Sequence, residues 1–274
     1  MDDIEQKYVH EFQFALPVVY KDTIKLYPVY YEQNYEFSIG IQCLLFEIMD
    51  YSNIEYATLP RLYFLTEVLN HYTDKEWMQQ NFQMYLLYNS MLELLNCVLK
   101  EQPYEILPIG KNFGIRIFSD ESKEKYVDIT SKKFEEIRQI ILYQNGYDFS
   151  DEFVHNDIKK YIKKQHENDN KNEDITVEDY MDCVMIEMKI YDEKEMAKLT
   201  LRRFNRFLAK ILNHDIWKIQ TTASMSGMVT FKEDIPFWLA NQSKKSKLES
   251  YFKKIKVKDP TFVEDKTKLK KNKE

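Results

Sequence analysis

Glycine is scarce in this chain: there are five in 274 residues, beside seven prolines and three cysteines. Phosphate-cradling loops need glycines clustered where backbone must approach a ligand, so this composition disfavours a P-loop or a dinucleotide fingerprint. Turn-dense all-β folds are disfavoured for the same reason, because their tight turns draw on glycine. The cysteines, Cys43, Cys97 and Cys183, are odd in number, far apart and set in apolar helical contexts. They offer no paired CxxC and no disulfide framework, and they read as buried thiols of a reducing compartment. No run approaches 18 uncharged apolar residues, and the opening MDDIEQKYVHEF lacks the basic start and apolar run of a signal peptide. The expectation is a protein with neither a membrane span nor export by that route.

What the chain has in quantity is aromatic and charged residues. Twenty tyrosines and 17 phenylalanines supply large apolar surfaces, and 39 Lys plus Arg stand against 45 Asp plus Glu, a net charge of −6. That total hides an asymmetry, since Ser243 to Glu274 carries twelve lysines and five acids, a local +7 that leaves −13 for the rest. An acidic body argues against broad nucleic-acid binding, which needs a concentrated cationic face. The length suits one large domain or two small ones.

Hydrophobic spacing predicts mostly helix. After a polar start, FALPVVY and IKLYPVYY flank KDT and predict a β-hairpin, with Pro17 and Pro28 at strand ends or edges because neither can donate to a ladder. YEFSIGIQCLLFEIMDY then predicts a helix with Phe37, Ile41, Leu44, Leu45 and Ile48 on one face. Pro60 ends that run, and further helices are expected around Arg61 to His71 and Lys75 to Lys100. From Tyr104 to Thr130 three strand-like runs predict a β-meander. Helices follow at Ser131 onward, stopped by Asn145 and Gly146, and at about Ser150 to His166, before the polar loop ENDNKNED. Thr176 with Asp179 and Asp192 with Glu195 have the form of capping boxes ahead of two more helices. From Leu201 a stripe of Leu201, Phe204, Phe207, Leu208 and Ile211, then Ile216, Trp217, Ile219 and Ala223, predicts a helical hairpin turning at Gly227.

The fold class implied is α+β and mostly α-helical. Its parts are an N-terminal hairpin with helices over residues 1–102, a small meander over 103–130, a C-terminal helical block over 131–242 and a basic, flexible tail over 243–274.

Candidate chemistry is thin. Glu152 and His155 have the E-x-x-H spacing of di-metal bundles, yet no second copy occurs, and Glu67 with His71 reads as a surface pair. Ser224 and Ser226 precede Gly227 without the flanking glycines of a nucleophile elbow, so a helix C-cap accounts for them. No catalytic residue, metal ligand or cofactor site is expected. Residues that can meet a partner are of two kinds. Arg202, Arg206 and Lys210, four apart, form a cationic row with Arg203 beside it, able to hold phosphate or an acidic helix, to pair internally, or to stand in solvent. Tyr30 and Tyr31 at the hairpin's end, and Phe237 with Trp238 after Pro236, are aromatic anchors of the type found at interfaces.

LPVVYKDTIKLYPVYYEQNYEFSIGIQCLL resembles the opening of a group of proteins from tailed bacteriophages of low-GC bacteria, where a short LPV-Y-K … I-YPV hairpin precedes a helix with a CLL-like cluster. The far end, KLTLRRFNRFLAKI then SMSGMVTFKEDIPFWL, is similar to the group's T-I-R-R-F … S-G-M-V-x-F-K-x-x-I-x-x-W ending, with Leu201 where isoleucine is expected and a lysine-rich tail that has no counterpart. The middle of the chain matches only in texture. The resemblance implies a morphogenesis protein of the phage tail with no catalytic residues to carry over. That protein would be a tail assembly chaperone in the host cytoplasm, binding tape-measure or tail proteins, or else a baseplate or tail subunit of the virion. A regulator binding nucleic acid through Arg202, Arg203, Arg206 and the basic tail is the reading from another class.

Overall fold

The computed structural model describes residues 3–147, 176–227, 231, 235 and 237–239. The helix expected at Ser150 to His166, with Glu152 and His155, the loop ENDNKNED, and the basic tail all lie outside the described residues. Cα packing divides the chain into two units, residues 1–147 with 181–208, and residues 148–180 with 209–274. The architecture is α+β and mostly helical, with one two-stranded and one three-stranded antiparallel sheet.

The first unit opens with α1 (Asp3–Lys7) and α2 (Val9–Phe14), followed by β1 (Val18–Tyr20) and β2 (Ile24–Leu26). The hairpin is shorter than the apolar runs suggest, because Phe14 closes α2, Ala15 turns the chain with a φ of 56°, and pairing stops at Leu26. Pro17 precedes β1 and Pro28 follows β2, as their missing donors require. Lys21 and Asp22 at the turn both have positive φ (52° and 55°), the backbone hand that matches the twist of paired strands.

The single helix expected from Tyr35 to Tyr51 is interrupted. It forms α3 (Asn34–Gly40) and α4 (Gln42–Leu45), then a 3-10 turn at Ile48–Asp50. Phe37, Ile41 and Leu44 are buried as the spacing implies, but Leu45 is 41% exposed. The break after α4 is held by two guanidinium groups. Arg61 donates to the carbonyls of Cys43 (3.1 Å) and Phe46 (2.7 Å), and buried Arg138 donates to that of Leu44 (2.9 Å). A helix's last carbonyls lack partners within the helix, and here cations from elsewhere in the chain supply them. Glu135 pairs with both arginines.

After α5 (Ile54–Ala57) and α6 (Arg61–Thr66), α7 (Lys75–Gln80) and α8 (Phe82–Leu99) replace one expected long helix, with Asn81 at the junction at φ −114°. The 18 residues of α8 span ~27 Å. It is the centre of the unit, touching α3, α4, α6, α7 and β2. The meander is as expected: β3 (Tyr104–Ile109), β4 (Asn112–Phe118) and β5 (Tyr126–Ile129) lie in that order, and α9 (Ser131–Gln144) ends at Asn145 and at Gly146, whose φ is 85°. Its Ile115, Ile117 and Ile129 face Met91, Leu95 and Ile137 around a void of only about 10 Å³, so meander and helices share one close-packed core.

Further along are α10 (Val177–Met188), α11 (Glu193–Ala197) and α12 (Leu201–Met225). The capping box ahead of α10 is reciprocal: the Thr176 N–H donates to Asp179 Oδ2 at 2.7 Å and the Asp179 N–H to Thr176 Oγ1 at 3.2 Å. The first arm of the expected helical hairpin is the single 25-residue α12, ended at Gly227 with φ 71°. Its apolar stripe is buried only at Leu201 and Phe204, while Phe207, Leu208 and Ile211 are half-buried and Ile216 and Ile219 exposed. Of the second arm, only Phe231, Ile235 and Phe237–Leu239 are described, and none of them is helical.

Candidate partner-binding groove

Two helices facing each other with unfilled apolar surface make a sizeable concavity. Gly40 sets their separation. A Cβ there would lie 2.8 Å from the Leu94 backbone nitrogen and 2.9 Å from its Cα, so α3 meets α8 backbone to backbone at that point. Beyond this contact the pair opens into a groove of about 670 Å³. Ile39 and Tyr35 come from α3, Gln42 from α4, and Gln83, Leu86, Leu87, Asn89, Ser90 and Glu93 from α8. Tyr35 is 74% exposed, Leu86 49% and Ile39 41%, and Phe82, one turn before Leu86, is 56% exposed. Large side chains that escape burial in one continuous strip mark contact surfaces more often than scattered ones do.

Among the described residues, Glu36 and Glu93 are the charged ones lining the groove. Both act on Cys97, whose thiol is pushed up to about 11 by burial first and then by these two negative charges. The carboxylates therefore sit together toward the Cys97 end, and neutral Gln83 lies one helix half away. Cys43 is likewise raised, to about 12, by burial. Both thiols are buried and protonated at neutral pH, and Cys183 is half-buried.

The residues expected to meet a partner lie elsewhere. Tyr30 and Tyr31 are half-buried against the start of α12. Tyr30 forms a β-bridge with Thr200, the Tyr31 N–H donates to the Leu199 carbonyl (2.8 Å), the Leu201 N–H donates to that of Val29 (3.0 Å), and the Tyr31 and Phe204 rings are 4.5 Å apart. Burial raises the Tyr31 hydroxyl's pKa, and that hydroxyl has no hydrogen-bond partner among the described residues. Lys100 covers Tyr30 at 4.9 Å and Tyr27 at 4.8 Å from their ring centroids. These tyrosines are anchors within the fold, joining two segments about 170 residues apart in sequence.

Arg202 is also drawn inward. It donates through Nη1 to the Tyr143 carbonyl, lies over the Phe12 ring at 5.7 Å and packs beside Gly146. Desolvation, then the charge of Arg206, lower its pKa, with Glu5 opposing them. Arg203 is exposed, reaches the Gln13 carbonyl at 3.5 Å and lies over Phe207 at 5.8 Å. Arg206 is exposed. In the second unit Lys210 is half-buried, and Phe237 and Trp238 join His214 and Trp217 in an aromatic cluster: His214 to Trp238 is 4.7 Å and Trp217 to Phe237 is 5.7 Å. The cationic row is thus not one face, since its first member serves the core.

Glu67 and His71 form the expected surface pair at 3.4 Å, with His71 stacked on Trp77 at 4.3 Å. Among the described residues, no three His, Cys, Asp or Glu side chains converge as metal ligands, and no helix is long and apolar enough to cross a membrane. The groove was readable only in part from the sequence. Tyr35, Ile39, Phe82 and Leu86 each sit four residues apart in pairs, but nothing in the spacing says that the two pairs face one another and remain uncovered. Comparison of the chain with protein-family models, curated proteins and solved structures finds no match.

Proposed function

We propose that this chain is a non-enzymatic morphogenesis protein of a bacteriophage tail, a tail assembly chaperone that shelters an apolar helical segment of a tape-measure or tail protein in the host cytoplasm. The observation that carries this reading is the α3–α8 groove, an uncovered apolar trough between two helices of a size and shape that takes the stripe of a third helix. An acidic exterior keeps such a complex soluble. Also in favour is the way the two stretches that carry the phage resemblance pair with each other through Tyr30 and Thr200, and that the first of them forms one wall of the groove. The nucleic-acid reading is weakened by Arg202, whose guanidinium is held against Tyr143 and Phe12.

The test is co-purification from cells that co-express this chain with a phage tape-measure protein and a tube protein. The wild-type chain is expected to retain the tape-measure or tube protein, and Leu86→Asp, a change at an exposed position, to lose it. Recovery of neither protein by the wild-type chain would sink the proposal. Mass spectrometry of purified particles separates the roles, since a chaperone is missing from them and a structural subunit is present at fixed stoichiometry.

A further inference from the structure

We infer that the α3–α8 groove selects a cationic amphipathic helix, its apolar stripe seated on Ile39 and Leu86 and its Lys or Arg side chains answering Glu36 and Glu93. This rests on the binding reading above and specifies the partner's chemistry. The length comes from α8: Gln83 to Glu93 advances ~15 Å along the helix, matching about ten residues of a helix lying alongside. A partner of that length offers apolar residues at i, i+3 or i+4 and i+7 to the trough. The sign of its charge comes from the rim. Glu36 and Glu93 are exposed, no described lysine, arginine or histidine lines the groove with them, and both reach Cys97 electrostatically, so the negative potential is concentrated at one end. The other end offers the neutral amides of Gln42 and Gln83. A helix with its cations clustered toward one terminus therefore has a preferred direction in the groove, and an anionic helix is repelled there.

Two synthetic amphipathic peptides of about fourteen residues decide the matter, identical in their leucine stripe and differing only in whether lysine or glutamate flanks it. Fluorescence anisotropy with the full chain is expected to show the lysine peptide binding ~10-fold tighter at low salt, with the gap narrowing as ionic strength rises. The double variant Glu36→Lys with Glu93→Lys should reverse the preference, and Glu36→Gln with Glu93→Gln should abolish it. Both pairs are exposed, and unchanged circular dichroism checks that the fold persists. Equal binding of the two peptides, lost for both with Leu86→Asp, would overturn charge selection and leave the groove as a binding site. Failure of the folded wild-type chain to bind either peptide would overturn both.

Discussion

The hairpin corner and the α3–α8 groove lie in the same unit, and they differ in what happens to unsatisfied surface. Strands of three residues cannot stabilise themselves, and two of them alone make a marginal sheet. In the corner, buried amides close the open backbone. Gln102 accepts from the Lys25 N–H (2.7 Å) and donates to the carbonyls of Thr23, Phe118 and Ser119, Gln144 donates to those of Leu16 and Leu26, and Asn145 accepts from the Val29 N–H and donates to Ile141. Each side chain replaces part of a missing neighbouring strand. In the groove Tyr35, Ile39 and Leu86 keep much of their surface uncovered by the described residues, although that apolar surface is of the kind that drives burial elsewhere. One region closes most of its polar backbone with its own side chains, and the other keeps apolar surface exposed among the described residues.

Five measurements sharpen or break that contrast. The largest effect is expected at the corner, where Gln102→Leu removes two hydrogen bonds to the hairpin, at the Lys25 N–H and the Thr23 carbonyl, and those to Phe118 and Ser119 at the end of β4. Chemical denaturation should show a loss of ~3 kcal/mol, and a change below ~0.5 kcal/mol would mean the amide is dispensable. Asn145→Ala removes a fully buried amide and orphans the Val29 N–H, with an expected loss of ~2 kcal/mol and early hydrogen exchange at Val29.

Next, Gly40→Ala places a methyl against the Leu94 backbone and should cost ~1–2 kcal/mol. The same change must prise α3 from α8, so partner affinity should shift as well. Leu86→Asp should leave thermal stability within ~0.5 kcal/mol while removing binding, and a large destabilisation would show that the groove is core and not a surface in waiting.

The smallest effect concerns pH. Asp128 accepts from Arg116 at 2.7 and 3.0 Å, and that hydrogen bond, followed by the guanidinium's charge, holds its carboxyl below the usual range against a desolvation cost. A depressed carboxyl contributes stability above its unfolded pKa and loses it as pH falls through the folded one. The acid-side loss specific to Asp128 should therefore vanish in Asp128→Asn. Because the pair is part-exposed, its contribution is ~0.5 kcal/mol.

Much of the fold follows from local patterning. The meander, the Asn145–Gly146 stop, the reciprocal Thr176–Asp179 cap and the Gly227 terminus were all legible, because alternation, capping and positive-φ positions act over a few residues. The breaks at Ile41, Phe46 and Asn81 were not, since apolar periodicity runs through all three. What fixes the break at Phe46 is Arg61 and Arg138, brought in from other helices. Among candidate site residues, Tyr30, Tyr31 and Arg202 look like exposed anchors when each is considered alone. They lie at the meeting of two chain segments, which spacing within either segment does not reveal.

The amino-acid order alone determined the helical bias, the two antiparallel sheets and the want of glycine loops, since each depends on near neighbours and composition. Tertiary structure alone decided which apolar faces are closed and which stay open. Burial depends on a face's distant neighbours, and only the approach of α3 to α8 at Gly40 puts Ile39 and Leu86 on opposite walls of one trough under a pair of acids.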